Sequence, residues 1–412
     1  MTFHHNLKEY ADLIVQVGLN LQQGQYLQIQ TTTDTLDFTR LVVDAAYEVG
    51  ASHVDVQLSD PYMTRSFYDH APESSFEDVP KWIAHQRDEI IDRQGALLWI
   101  DAEDPDLLEG VDASKISRQQ KASSLLLKRY RKAVMNDEIT WSIAAVPSKK
   151  WAMKVFPDLS EEQAIQALWE KIFEVVRIGS GTAVSQWKTH IENLNKRADY
   201  LNSRNYTALH YQAEGTDITV GLPEGHIWMS GSSVSDRGVA FIANMPTEEV
   251  YTAPSRTNVS GYVTNSKPFI YQGNRIDGFT LHFEEGKIVN VTAEHGEDLL
   301  KELIATDEGA TRIGEIALVP FDSPISNADI IFYNTLFDEN ASNHFALGEA
   351  YPTTLSGGKQ MSEEELIAAD VNVSLIHEDF MIGTVDMTID GIGKDGTKEA
   401  IFRNGNWANA IE

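Results

Sequence analysis

Hydrophobic periodicity changes character near residue 200, and no single regular architecture accommodates both patterns. Before that point helical and strand-like runs alternate. An amphipathic stretch over residues 7–21 precedes a strand-like 26–31, a helical 35–49 precedes 53–59, and a helical 76–91 precedes 96–102. Such alternation predicts parallel strands joined by helical crossovers, because parallel neighbours cannot be linked by a tight turn. One basic-faced helix is expected over 114–136 and a strand over 140–146. Asp158-Leu159-Ser160-Glu161-Glu162 then reads as a cap and acidic first turn, opening a helix that runs to 178. A further helical run, from 183 to about 201, leads into the second half.

From residue 206 the apolar runs shorten and are broken by Gly, Asn, Asp and Pro, as in 208–212, 217–220, 226–229 and 278–283. These predict antiparallel strands. The expected class is therefore α/β: an N-terminal α/β domain, residues 1–200, with a largely parallel sheet, and a mixed α+β C-terminal domain, residues 201–412. With 42% hydrophobic residues in 412, the chain can build two cores, in keeping with domain sizes of about 100–200 residues.

Lys plus Arg number 33 against 62 Asp plus Glu, a formal net charge of −29 at pH 7. That field repels phosphates and anionic headgroups, so neither nucleic acid nor a membrane is an expected partner. The chain has no cysteine, which excludes thiolate zinc sites and cysteine nucleophiles and leaves Asp, Glu and His as metal ligands. Residues 1–10, with His4, His5, Lys8 and Glu9, lack the basic-then-apolar layout of a signal peptide, and no stretch reaches the roughly 20 apolar residues of a membrane span. A cytoplasmic protein is the expectation. Nucleotide binding is disfavoured, because residues 26–31 run into Thr32-Thr33-Asp34 rather than a glycine-rich phosphate turn.

Four segments carry candidate chemistry. Ser374-Leu375-Ile376-His377-Glu378-Asp379-Phe380-Met381 looks like a strand, on which His377 and Asp379 share a face while Glu378 points away. Taken alone, the pair fits a hydrogen-bonded core couple as well as a metal site. Residues 333–352 are dense in polar groups, among them Glu339 and His344, and read either as an exposed Asn-rich loop or as converging ligands. Glu315 sits among Ile313, Ile316, Ala317 and Leu318, paired with Arg312 or functional; Glu249 follows Glu248 in a segment that also suits a surface. Together Glu249, Glu315, Glu339 and Asp379 carry four negative charges, which balance two divalent cations, with His344 and His377 as neutral ligands. Two ions about 3.5–4 Å apart activate a bridging hydroxide and polarise an amide carbonyl.

In their order and spacing these segments, Pro246-Thr247-Glu248-Glu249-Val250-Tyr251, Gly314-Glu315, Glu339 through Tyr351, and His377-Glu378-Asp379-Phe380, resemble the aminopeptidase T / aminopeptidase S family of metallopeptidases. The resemblance covers nearly the whole chain. It implies a dinuclear centre with Glu249, Glu315, Glu339, His344, His377 and Asp379 as metal ligands. The choice of Glu249 over Glu248 comes from the family pattern. Glu315 matches a bridging ligand or proton relay, and Tyr351 a tyrosine that assists at the tetrahedral intermediate. The family further implies two divalent ions per subunit, zinc or cobalt ahead of magnesium or manganese, a C-terminal domain that holds them, a homodimer, and peptide substrates with a free N-terminus. The competing readings are another dinuclear metal-dependent hydrolase or isomerase of small polar molecules, and a two-domain small-molecule binding protein, which would normally be exported.

Overall fold

The computed structural model describes residues 2–102, 104–271 and 274–409, and the chain forms two compact units. The first contains the chain to Glu192 together with Gly231–Thr247 and Phe332–Leu336. The second contains Asn193–Ser230, Glu248–Ile331 and the chain from Phe337. The first crossing falls within the helix Ala183–Arg204. Among the described residues no helix is long and apolar enough to cross a membrane.

The first unit holds the parallel sheet that the alternating pattern predicts. Its strands lie in the order Asn244–Met245, Thr140–Ala145, Ala96–Asp101, Tyr26–Thr32 and His53–Ser59, and every pairing is parallel. Leu27, Ile29, Leu97 and Leu98 are fully buried, as consecutive apolar residues must be when a sheet is covered on both faces. The helix Glu161–Val175 opens on a reciprocal capping box between Ser160 and Gln163. Two helices depart from expectation. Residues 114–136 form two helices, Ala113–Leu126 and Lys128–Met135. Ile116 of the first packs with Tyr68 and Phe76, whereas Tyr130 and Ala133 of the second pack with Ile90, Leu97 and Trp141. One straight helix cannot face both clusters. The helix predicted over 76–91 starts at Lys81 instead, because Pro80 steers Val79 away from helical backbone and Phe76 ends a separate short turn.

The second unit is built on antiparallel sheets. The larger runs, in spatial order, through Lys287–Thr292, Thr280–Glu284, Val259–Thr264, Thr216–Gly221, Ala208–Ala213, Thr388–Ile392, Lys398–Arg403 and Asn406–Trp407. The smaller comprises His377–Met381, His344–Gly348, Ile313–Leu318, Val250–Thr252 and Met229–Ser230. Alternation along the smaller sheet sends Phe345 and Phe380 to one face, where the Phe345 ring meets Tyr211 of the larger sheet at 5.1 Å. Fully burying each such side chain contributes about 2–3 kcal/mol. Anchoring one face frees the opposite face of the same strands for polar groups.

Gly348 ends one of these strands with φ +101°, and a Cβ there would lie 2.2 Å from the Ile376 carbonyl oxygen. Gly348→Ala is expected to destabilise the protein by about 3 kcal/mol in urea unfolding, combining backbone strain with overlap. Gly396 has a similar φ of +79° but open space within 4 Å, so Gly396→Ala should cost only about 1 kcal/mol.

Candidate metal centre

Register determines which side chains meet. In an antiparallel sheet directly opposed residues project to the same face. Glu315 opposes Ala346, which in turn opposes Asp379; Ala317 opposes His344, and Gly348 opposes His377. Glu315, His344, His377 and Asp379 therefore share one face. Tyr251 opposes Ala317, and the same alternation brings Glu249, two residues earlier, to that face. The residues between them are Ala317, Ala346 and Gly348, whose small size leaves room above the sheet.

Two groups of potential ligand atoms result, Glu249 with Glu315 and His344, and Glu315 with His377 and Asp379, each with its atoms within 4.8 Å of one another. Glu315 belongs to both. The His344 Nε2 lies 3.1 Å from Glu249 Oε2 and 3.7 Å from Glu315 Oε1. The His377 Nε2 stands 3.6 Å from Asp379 Oδ2, too far for a hydrogen bond. Instead its Nδ1–H donates to the Glu349 carbonyl at 2.7 Å, while the Nδ1 of His344 faces the Ser342 carbonyl at 3.3 Å. A carbonyl only accepts, so each Nδ1 carries the proton and each Nε2 is directed at the carboxylates, the arrangement that orients metal-binding imidazoles.

The remaining sequence candidates also fall here. Both triads form without Glu339, but its buried carboxyl is close enough to Asp379, Glu249 and Glu315 for their charges to act on it. It accepts from Asn340 Nδ2 at 3.2 Å. The Tyr351 ring sits 5.1 Å from the His377 ring and 5.9 Å from Tyr251. Residues 338–344, for which an exposed loop was one reading, are all buried. Arg312 turns away from Glu315 and bonds Glu308 at 3.0 Å. Sequence reasoning passed over Tyr251, Asn340 and Asn343. Asn340 Oδ1 accepts from the Glu248 N–H at 2.8 Å and Asn343 Oδ1 from the Val319 N–H at 3.0 Å, holding the backbone on either side of the ligands. The clustering of Asn and Ser between Leu336 and Phe345 was the available signal.

Electrostatics describe a site that demands positive charge. Burial, reinforced by Asp379 and Glu249, raises the Glu315 carboxyl to about 7 against the opposing pull of His344 and His377. Burial first, then Asp379 and Glu249, holds Glu339 well above the usual carboxylate range. Burial lowers the His344 pKa, but its contacts with Glu249 and Glu315 outweigh this and carry it well above the ordinary value. For His377, burial is likewise overcome by Asp379 and Glu315. Asp379 Oδ1 is buried with no hydrogen-bond partner. An orphaned carboxylate oxygen beside oxygen and imidazole-nitrogen donors fits a divalent cation.

The residues from 3 to 407 match the model of the thermophilic metalloprotease (M29) family. The chain is 50% identical over 407 residues to Aminopeptidase AmpS of Bacillus subtilis (strain 168), covering 99% of both chains, and 46% identical over 402 residues to Aminopeptidase 2 of Geobacillus stearothermophilus, covering 98% and 97%. A solved structure titled wild-type AmpT from Thermus thermophilus superposes with a TM-score of 0.92 at 39% identity, over 99% of this chain and 100% of that one. These matches, on this fold and donor set, define a metal-dependent peptidase. The chain belongs to the thermophilic metalloprotease (M29) family.

Without metal, the folded state keeps a proton on Glu315 up to about pH 7 that the unfolded state releases near 4.5, and the raised His344 and Glu339 act in the same direction. Native protein then binds more protons than unfolded protein, so stability falls as pH rises through that window. The melting temperature of the chelated protein should drop between pH 5 and 7.5, by an amount corresponding to about 3 kcal/mol for Glu315. Bound divalent metal should remove the drop, because it stabilises the deprotonated ligands.

Proposed function

We propose that the chain is an aminopeptidase that holds two divalent ions and removes single residues from peptides with a free N-terminus. The observation that carries this reading is the meeting of two ligand triads at Glu315. Its relatives, which this chain matches over nearly their full lengths, are aminopeptidases by name, and that supplies the reaction. Glu249, Glu315 and His344 would hold one ion and Glu315, His377 and Asp379 the other, with Glu339 as a further ligand. Bound there, the ions supply the Lewis acidity that activates water near neutral pH and polarises an amide carbonyl. Zinc or cobalt suits the two imidazoles better than magnesium or manganese. A homodimer completes the reading, on the strength of the family resemblance.

The chain's own groups divide the remaining work. Carboxylates concentrated on one face attract the substrate's ammonium group. Glu315, at the meeting of the two triads, takes a proton during attack and passes it to the departing amine. Tyr351 stays a phenol, because burial ahead of the charge of Glu315 keeps its pKa well above the ordinary value. Its O–H therefore remains a donor for the oxygen that gains charge in the tetrahedral intermediate.

Release of the first residue from aminoacyl-p-nitroanilides, measured on chelated protein before and after zinc or cobalt is restored, tests the reading. Activity should return with metal, vanish when the substrate is N-acetylated, and fall by about 10²–10⁴-fold in Glu315→Gln and His377→Ala. Stoichiometric metal binding without cleavage would point to another dinuclear hydrolase. Tyr351→Phe should lower kcat about 10²-fold with metal content and KM little changed, as loss of one oxyanion donor does.

A further inference from the structure

A second candidate site lies in the first unit, built wholly from its parallel sheet. Tyr26–Thr32 lies between His53–Ser59 and Ala96–Asp101. The chain leaves the first of these strands toward His53–Ser59 and the third toward Thr140–Ala145, so its crossovers diverge at the seam between Tyr26–Thr32 and Ala96–Asp101. Open α/β sheets bind ligands at such a seam, beyond the carboxyl ends of the strands. A cavity of about 620 Å³ is found there, lined by Thr31, Thr32, Trp99, Asp101, Arg87 and Gln57 among others, within the size range of small-molecule sites.

Its polar groups are prepared for a partner. Thr32 is 8% exposed and its Oγ1 is buried without a hydrogen-bond partner. Arg87 has no carboxylate in ion-pair contact among the described residues, although burial depresses its pKa. Its Nη1 donates to Gln28 Oε1 at 3.0 Å and its guanidinium lies 5.6 Å from the Tyr130 ring centroid. The Trp99 indole N–H donates to Gln30 Oε1 at 3.0 Å, and Gln30 Nε2 donates to the Tyr130 hydroxyl at 3.2 Å. Asp55 acts on Arg87 by charge and accepts from the same Gln28 side chain at 3.2 Å, but it makes no ion pair with it, so the guanidinium keeps donors for an anion. One cation, an aromatic wall and the carboxylate of Asp101 suit a monoanion rather than a phosphate. The turn after Thr32, Thr33–Thr35, has no glycine and carries Asp34, unlike a phosphate-binding loop.

We propose that this crevice binds a small carboxylate ligand, a free amino acid or a peptide C-terminus, with the carboxylate on Arg87 and the Thr32 hydroxyl and the side chain against Trp99. The site is independent of the metal centre; the peptidase reading supplies only the choice of probe.

Calorimetric titration of L-phenylalanine into the full-length protein, metal-loaded and chelated, tests this. Binding should survive both chelation and His377→Ala, which separates it from the metal centre, and should occur whether or not the protein cleaves peptides. Affinity should fall about tenfold or more for phenylalaninamide and for Arg87→Gln, each of which removes one partner of a charge-assisted pair. Thr32→Val should weaken binding while melting like wild type, since its hydroxyl has no bond to lose; it decides the matter if Arg87→Gln does not fold. Loss on N-acetylation would assign a free amino acid, and tolerance of it a peptide C-terminus. Absence of binding, abolition by chelation, unchanged affinity in both variants, or tighter binding of inorganic phosphate would overturn the proposal.

Discussion

Carboxylates packed on one face of a buried sheet repel one another, and much of the second unit is organised around that repulsion. Glu249, Glu315 and Glu339 are each less than a tenth exposed, where an ionised carboxylate without compensation costs several kcal/mol. In the metal-free chain protons on Glu315, Glu339 and the imidazoles provide partial relief. A divalent cation provides more, because it neutralises two charges and satisfies lone pairs such as that of Asp379 Oδ1. The same features that make the site unfavourable when empty make it a strong ligand set.

Holding those groups together requires a rigid support. The support is the opposite face of the same sheet, where Phe345 and Phe380 pack with Tyr211 and Phe279. Each strand therefore links a packed core to the ligands by simple alternation, and displacing a ligand means disturbing that core. Ala317, Ala346 and Gly348 are small where larger side chains would fill the ligand space. Asn340 and Asn343 tie down the flanking backbone, so the polar density of this stretch serves positioning as well as chemistry.

The two units use their sheets differently. In the second, functional side chains rise from the middle of antiparallel strands; in the first, polar groups gather at the strand ends around the seam of a parallel sheet. Parallel strands covered on both faces have only their ends available to a ligand.

Local sequence alone specified a good deal. The βα alternation located the strands at 26–32, 53–59, 96–101 and 140–145, because period and turn chemistry are local properties. The Ser160 cap was readable for the same reason. His377 and Asp379 could be assigned a common face from a spacing of two. Other features depend on contacts distant in sequence. The break after Leu126 reflects two separate clusters that one helix cannot serve. Whether Glu315 faced Arg312 or His344 depended on a register between strands about 30 residues apart, which neither segment encodes by itself. The burial of residues 338–344, the orientation of both imidazoles by carbonyl oxygens, and the sharing of Glu315 between two triads arise only when the strands are brought side by side. Composition and spacing limited the ligands to carboxylates and imidazoles; cross-strand pairing determined which of them meet.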